Sequence, residues 1–332
     1  MLALAGPAAG QDGGRTLPTL ESLGIGPWSN ESGSIQFALS GRADVDAYFT
    51  GDDPTHLIRK TETFVAPRVR LFADLFVGAS WFASAELRFD HGPVEAWEGH
   101  DFRVEQAFLR WSPLELLALQ AGRFASPFAS YPSRHHTEDD WFIRPPLMYE
   151  YRTTALASRI PPDEDVWVTW KDSADLRARG APPVWGAPYQ WGGMAFGVWR
   201  DLSWRVAYMN GAPSSGPSAW DRLDFERGNL VAALGWRFAP WVRTEFSYST
   251  GPFMGRNLAE ESATVPDGHE ITEYTQEIFS GELLFELQHT QLRAEAFHDT
   301  WNVARVLDDA IDISWSVEAR QELFQDWFVA GR

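Results

Sequence analysis

The chain has 332 residues, a formal net charge of −18 at pH 7 and no cysteine, which excludes disulfide and thiolate–metal scaffolds. Tryptophan and phenylalanine are abundant, with 17 and 22 copies, yet the mean hydropathy is −0.29, which is too polar for a bundle of membrane helices. The acidic charge also makes binding to nucleic acid unfavourable.

The first residues show no strand or helix periodicity. Residues 1–11 are apolar and rich in small side chains, which indicates a signal-peptide remnant; a flexible N-terminal extension is the alternative. Residues 12–33 contain Gly, Pro and Ser and are predicted to be a periplasmic lead-in. The predicted transmembrane region then occupies residues 34–332.

Residues 34–49 alternate between apolar and polar side chains. Ile35, Phe37 and Leu39 begin one face, and Arg42 and Asp44 lie on the other. Because successive side chains of a strand point to opposite faces, this segment predicts a strand with one apolar and one charged face. It is longer than the usual ~5–6 residues of a soluble strand and suits a tilted strand that crosses a bilayer.

The same alternation recurs along the chain and predicts roughly thirteen strands. Their connections are alternately tight and long, and the long ones are residues 50–63, 91–101, 125–188, 211–227, 250–275 and 301–309. Tight periplasmic turns and long extracellular loops are typical of outer-membrane barrels. The predicted fold class is therefore all-β, an antiparallel up-and-down transmembrane β-barrel.

The last predicted strand begins at Trp327, just before the sequence ends at Arg332. Bacterial single-chain barrels have an even number of strands, and an open sheet edge leaves backbone groups unpaired in lipid. We therefore interpret the barrel as incomplete, with the chain truncated at its C-terminus.

Two segments resemble a known family. Residues 119–128, LQAGRFASPF, and residues 142–147, FIRPPL, are similar to the G-[RKQ]-F-x-x-P-F segment of Gram-negative outer-membrane porins, most nearly the phosphate-selective O and P type. Residues 105–111, EQAFLRW, resemble the aromatic strand that precedes that segment. The resemblance implies a homotrimer of diffusion channels with about sixteen strands each, so that about three strands are missing here. No ligand residue of that family is carried over.

Because side chains alternate between the two faces of a strand, a set of charged residues is predicted to lie on the inner face of the barrel. The pore-lining candidates are Arg42, Arg68, Arg70, Arg88, Arg110, Glu86, Arg243, Glu245, Glu282 and Glu286. In one interpretation they pair across neighbouring strands, such as Arg70 or Arg88 with Glu86 or Asp74, and stiffen the wall. In the other they form a basic ladder opposite an acidic patch, which orients polar solutes in the narrow zone.

Residues 125–188 form by far the longest connection and are the candidate constriction loop, folded into the barrel to narrow it. Its candidate residues are Arg134, Glu138, Asp139, Asp140, Arg144 and Arg152. The alternative is that residues 166–170 form an extra hairpin strand and that the loop covers the rim or the trimer contact. His135 and His136 have no second ligand cluster nearby, so no metal site is predicted.

The predicted function is a porin, a channel for passive diffusion of small polar solutes or ions across the outer membrane of a Gram-negative bacterium. The predicted partners are outer-membrane lipid, lipopolysaccharide that divalent ions bridge to the acidic loops, and further copies in a homotrimer. No cofactor and no enzyme activity is predicted. The alternative is a barrel enzyme of the lipase or protease type, although no Ser, His and acid set can be placed within one strand pair.

Overall fold

The computed structural model describes residues 27–48, 64–90, 101–134, 141–142, 145–173, 180–186, 188–216, 221, 223–255, 265–324 and 327–332. Their strands form one 14-stranded sheet in which every strand is hydrogen-bonded to its neighbours in the sequence. The predicted all-β, antiparallel, up-and-down fold class is confirmed. Within the described ranges, no helix has the length and apolar character needed to cross a membrane.

The strands make up most of the described residues, and the helices are short. The strands are β1 (Trp28–Ser29), β2 (Ile35–Tyr48), β3 (Phe64–Val77), β4 (Trp81–Asp90), β5 (Asp101–Leu114), β6 (Leu117–Ala125), β7 (Tyr189–Trp199), β8 (Leu202–Met209), β9 (Asn229–Ala239), β10 (Val242–Pro252), β11 (Thr275–Leu287), β12 (Thr290–Trp301), β13 (Ala310–Phe324) and β14 (Trp327–Gly331). The helices are α1 (Tyr131–Arg134) and α2 (Glu164–Thr169), with 3₁₀ turns at Leu147–Tyr149, Trp170–Asp172 and Ile271–Glu273.

The predicted strands correspond to β2 to β14, and β1 is additional. It lies inside the predicted periplasmic lead-in, where Trp28 and Ser29 pair with Phe37 and Gln36 of β2. Gly33, with a positive φ of 66°, lies in the turn that joins the two strands. Two residues are too few for an alternation to be recognised in the sequence, which explains why this strand was not predicted.

The chain divides into two compact units, residues 1–120 and 121–332. In the first unit the apolar side chains of the strands are exposed and the charged ones are buried. Leu71 is 45% exposed, whereas its neighbour Arg70 is 3% exposed and Glu86 on β4 is fully buried. A soluble sheet shows the reverse distribution, because water stabilises exposed polar groups and not exposed apolar surface.

The second unit has the same inverted distribution. Trp315 on β13 is 72% exposed, while Glu318 on the same strand and Glu295 on β12 are buried. The alternation of burial along β13 is continuous from Ile311 to Glu318, as the sequence predicts.

One cluster of buried apolar side chains lies among the connections of this unit, at the strand ends opposite its tight turns. The cluster consists of Ala155, Ile160, Ala212, Phe253, Met254, Tyr274, Trp301, Val303 and Ala304. These residues come from four different connections or from the strand ends beside them, so the cluster joins the long loops into one packed layer.

One predicted alternative for the long loop is wrong. Residues 166–170 were considered as an extra hairpin strand, but they lie in α2 and the 3₁₀ turn that follows it. The carboxylate of Asp163 caps α2 by accepting a hydrogen bond from the Val166 amide, and Glu164 and Asp165 occupy the first turn. Acidic side chains at this position favour a helix because they interact with its unpaired N–H groups and its dipole.

Candidate functional site

Four arginines lie side by side on the polar face of the first unit. In the strand register, Arg42 on β2 is opposite Arg70 on β3, Arg70 is opposite Arg88 on β4, and Arg88 is opposite Arg103 on β5. We call Arg42, Arg70, Arg88 and Arg103 the arginine row. Like charges directly opposite each other repel, so the row requires neighbouring carboxylates to be stable.

Those carboxylates are present on the same face. Arg70 donates to Glu86 at 3.1 Å, and both side chains are almost completely buried. Arg88 donates to the carboxylate of Glu105 at 3.0 Å. The predicted pairing of Arg70 with Glu86 is therefore confirmed. Two more sites of the predicted set lie nearby: Arg42 donates to Asp44 at 2.9 Å, and Arg68 is opposite Asp44 and Asp90 in the register.

Glu105 and Arg103 were not among the predicted pore-lining residues, because a β-bulge changes the parity of β5. The register shifts where Glu86 and Leu87 pair with Gln106 and Val104, which leaves Glu105 unpaired in the ladder. Glu105 consequently points to the polar face and is 4% exposed. The sequence carries a weak indication of this bulge. The apolar residues Phe102 and Val104 are two positions apart, as are Ala107 and Leu109, but Val104 and Ala107 are three positions apart.

Arg110, another predicted residue, makes a different kind of contact. Its Nε and one terminal nitrogen both donate to Oε1 of Gln120, at 2.9 and 2.8 Å. The guanidinium also lies 5.5 and 5.3 Å from the ring centres of Phe82 and Phe108. These contacts orient the Arg110 guanidinium on the polar face through an amide and two rings.

A row of three glutamates lies on the polar face of the second unit. Glu245 on β10 is opposite Glu282 on β11, which is opposite Glu295 on β12. We call Glu245, Glu282 and Glu295 the glutamate row. Arg205 donates to Glu245, and Arg293 lies 3.8 Å from Glu282. The predicted residues Arg243 and Glu286 are also near each other, at 3.8 Å, but they are about half exposed and lie close to tight turns, away from this row.

The first part of the long connection lies against this polar face. The amide of Ala129 donates to Ser247 on β10, and Arg205 on β8 donates to the carbonyl of Pro127. Tyr149 donates from its hydroxyl to Glu295 on β12 at 2.8 Å. The segment therefore contacts strands that are far from it in the sequence, on the face that carries the charges.

Glu318 on β13 is the main ionic contact of this segment with the wall. Its Oε2 accepts from Arg134 of the loop and from Arg293 of β12, both at 3.3 Å, and its Oε1 accepts from Arg332 at 2.7 Å. Of the six loop candidates, Arg134 thus binds the wall. Arg152 has contacts within the loop: it donates to the carbonyl of Gly180 and lies 3.9 Å from the ring centre of Trp185. Glu138, Asp139, Asp140 and Arg144, like His135 and His136, lie outside the described residues.

The charges of the site change the ionisation of the loop groups. Burial raises the pKa of Tyr149 well above its ordinary value, and the carboxylate of Glu295 raises it further, so the phenol stays protonated and remains a donor. Burial lowers the pKa of Arg134, but Glu318 and the other acidic groups around it outweigh this effect and raise that pKa overall. Arg134 is therefore a fixed positive charge.

Comparison with known proteins gives likenesses in structure only. No protein-family model and no curated protein sequence matches the chain. Among solved structures, Salmonella typhi OmpF in complex with daunomycin is similar with 8% identity and a TM-score of 0.49, over 89% of this chain and 77% of that chain. Two mutants of the Rhodopseudomonas blastica porin, one of them a triple mutant, are similar with 11% identity and TM-scores of 0.36 and 0.39, over 89% of this chain and 92% of theirs. Since these TM-scores are below 0.5, the fold assignment rests on the strand pairing described above.

Proposed function

We propose that the chain forms a porin, a β-barrel channel in the outer membrane of a Gram-negative bacterium through which small polar solutes or ions diffuse passively. The observation that carries this proposal is the inverted distribution of side chains along β2 to β13, with large apolar residues exposed and polar or charged residues buried or half-buried. A sheet of this kind is stable when lipid covers its apolar face and water or polar groups meet its charged face.

The two rows support a polar passage. The arginine row supplies an array of guanidinium donors in the first unit, and the glutamate row supplies carboxylate acceptors in the second. Rings of charged side chains are a common way for a channel to bias which ions and solutes enter. The ion pairs in both units also stiffen the wall, so the two predicted interpretations of these charges are compatible.

The long connection is proposed to be the constriction loop. Its contacts with Ser247, Glu295 and Glu318 hold it on the polar face of the second unit, where it would reduce the open cross-section. Deleting residues 134–146 should therefore raise the single-channel conductance while the strands still fold. A control deletes residues 257–262 from another long connection. Equal conductance of both deletion variants and the wild type would place the loop outside the conducting path.

Electrical recording tests the proposal directly. Purified protein reconstituted in a planar lipid bilayer should produce stable, stepwise conductance increases, and a sample boiled beforehand should produce none. An enzyme of the lipase or protease type would instead hydrolyse a lipid or peptide substrate without forming steps. Nothing among the described residues favours that alternative: His269 contacts Glu273, and His289 contacts Glu322. Absence of conductance steps from correctly folded protein would refute the channel proposal.

The location and orientation are tested by labelling whole cells with a membrane-impermeant thiol reagent. A cysteine at Leu307, which is 94% exposed in a long connection, should react, and a cysteine at Thr290 beside a tight turn should not. Ser215 is a poor position for this experiment because its side chain is buried. The reverse labelling pattern would invert the proposed orientation.

Two finer features belong to the same proposal. The resemblance of residues 119–128 suggests the phosphate-selective type, which a reversal potential measured between phosphate and chloride solutions tests; equal permeability would exclude it. A homotrimer embedded in lipid and lipopolysaccharide is tested by the mass of the unboiled protein in detergent. A monomer mass that is unchanged by added lipopolysaccharide would exclude that assembly.

A further inference from the structure

Two aspartates are directly opposite each other on the polar face of the second unit. Asp299 on β12 pairs with Asp312 on β13 in the strand register. Both lie close to the strand ends that flank residues 302–309, and the side chain of Asp299 is completely buried. Directly opposed carboxylates are destabilising unless a positive charge or a proton lies between them.

Of the four other buried carboxylates in the described residues, three have arginine partners and the fourth, Glu295, accepts a hydrogen bond from Tyr149. Glu86 binds Arg70, Glu105 binds Arg88, and Glu318 is shared by three arginines. Among the described residues, no ion pair includes Asp299 or Asp312, and the Gln276 side chain that donates to Asp299 is a neutral amide. The negative charge of the pair is therefore not balanced by any described basic side chain.

Three buried oxygen atoms at this position have no hydrogen-bond partner in the described part of the chain. They are Oδ1 of Asp299, Oδ2 of Asp312 and Oγ of Ser314, which follows Asp312 on the same face of β13. Burying an oxygen without a hydrogen-bond partner is unfavourable, and more so when it is charged, so such atoms are typical of a site that binds a ligand. Oxygen atoms of this type are the ligands that hard cations prefer.

The other carboxylate oxygen of Asp299, Oδ2, is connected to the long loop through hydrogen bonds of Gln276. Gln276 on β11 donates from Nε2 to Oδ2 of Asp299 at 2.8 Å and to the carbonyl of Pro183 at 2.7 Å. Its Oε1 accepts from the amide of Ser214 at 3.2 Å. Gln276 therefore fixes the Asp299 carboxylate and leaves Oδ1 available, as a supporting hydrogen bond does around a metal ligand.

We propose that Asp299 and Asp312 bind a hard divalent cation, with Ca²⁺ as the representative ion. The described residues contain no group of three or more acidic, His or Cys side chains that could hold a metal, so neutral oxygens such as Ser314 Oγ and water complete the coordination. The bound ion links β12 to β13 and, through Gln276, to the loop at Pro183. With only two charged ligands, the affinity should be modest, about 10⁻⁴–10⁻³ M.

Calcium titration of the refolded full chain in detergent tests this site, and it does not depend on whether the protein conducts. Isothermal titration and thermal unfolding should show one Ca²⁺ site in the wild type that raises the unfolding temperature. The double variant Asp299→Asn, Asp312→Asn should bind at least ~10-fold more weakly and lose the temperature shift, because amides do not supply the two negative charges. The control Asp308→Asn, Asp309→Asn removes the same formal charge from exposed positions of the adjoining loop and should bind like the wild type.

A luminescent probe answers the same question if the double variant does not refold. Tb³⁺ replaces Ca²⁺ at oxygen sites, and Trp301, on the same face of β12 two residues after Asp299, should transfer excitation energy to it. Trp301→Phe should therefore lower the sensitised emission of the bound ion while leaving its displacement by Ca²⁺ unchanged. A wild type that binds neither ion, or that binds them as the Asp299→Asn, Asp312→Asn variant does, overturns the proposal and assigns the pair a shared proton instead.

Discussion

The hydroxyl of Tyr149 donates a 2.8 Å hydrogen bond to Oε1 of Glu295, which joins the longest connection of the chain to the polar face of β12 across 146 positions of sequence. Both side chains are buried, and the Tyr149 ring also packs edge-on against Phe297 at 5.3 Å. The contact therefore combines a hydrogen bond to a buried carboxyl group with aromatic packing.

Tyr149→Phe should loosen the loop from the wall. The ring packing is kept, but Glu295 loses a buried donor, which should lower the free energy of unfolding by about 1–3 kcal/mol. Urea unfolding in detergent and the rate of protease cleavage within the loop measure this effect. Tyr151→Phe is the matched control, because Tyr151 is 55% exposed and should be neutral. Equal loss of stability in both variants would contradict a specific role for the Tyr149 hydroxyl.

Glu318→Gln should be more destabilising. Glu318 is the shared acceptor of Arg134, Arg293 and Arg332, so its neutralisation leaves buried guanidinium groups without their carboxylate. Breaking a buried ion pair on one side typically costs about 3–5 kcal/mol. Urea unfolding of the refolded protein measures it. Glu322→Gln on the same strand, where the side chain is 39% exposed, should change stability by less than about 1 kcal/mol. A Glu318→Gln variant as stable as Glu322→Gln would show that the cluster adds nothing to stability.

The arginine row should determine ion preference in the first unit. Replacing Arg42, Arg88 and Arg103 by Gln removes positive charge from the polar face and should shift permeability toward cations. The reversal potential in a salt gradient measures this shift. Arg237→Gln, at an exposed position near the end of β9, is the control and should leave selectivity close to the wild type. An unchanged reversal potential in the triple variant would mean that the row has only a structural role.

The two faces of β13 should respond differently to charge. Trp315→Arg places a cation on the exposed apolar face, which should cost up to about 2–4 kcal/mol of folding free energy in lipid vesicles. Ser316→Arg places the same charge on the polar face, where residue 316 is directly opposite Glu295 in the strand pairing. This substitution should lower the free energy of unfolding by less. Urea titration of vesicle-inserted protein compares the two variants. A similar cost at both positions would contradict the assignment of lipid to the Trp315 side.

The alternation of apolar and polar side chains could be predicted from the sequence because it is a local property with a period of two residues. For this reason residues 34–49 were recognised as a strand, and Arg70 and Glu86 were placed on one face and paired correctly. The long connection was identified in the same way, by the lack of such an alternation between Ala125 and Pro188. The strand β1 has only two residues, which are too few for an alternation of apolar and polar side chains to be recognised.

The tertiary structure decided what depends on register and on contacts between distant residues. The bulge at Glu105 changes the face of a side chain through pairing with the neighbouring strand, and no count of residues fixes where pairing slips. The two rows likewise arise from the alignment of separate strands. Arg134 reaches Glu318 across 184 positions, and Asp299 is opposite Asp312 with no basic partner among the described residues, because strand pairing and loop packing bring these groups together. Where a strand is regular, the sequence by itself determines which side a residue occupies. Bulges, and the neighbours that a residue has on other strands, are set by the fold.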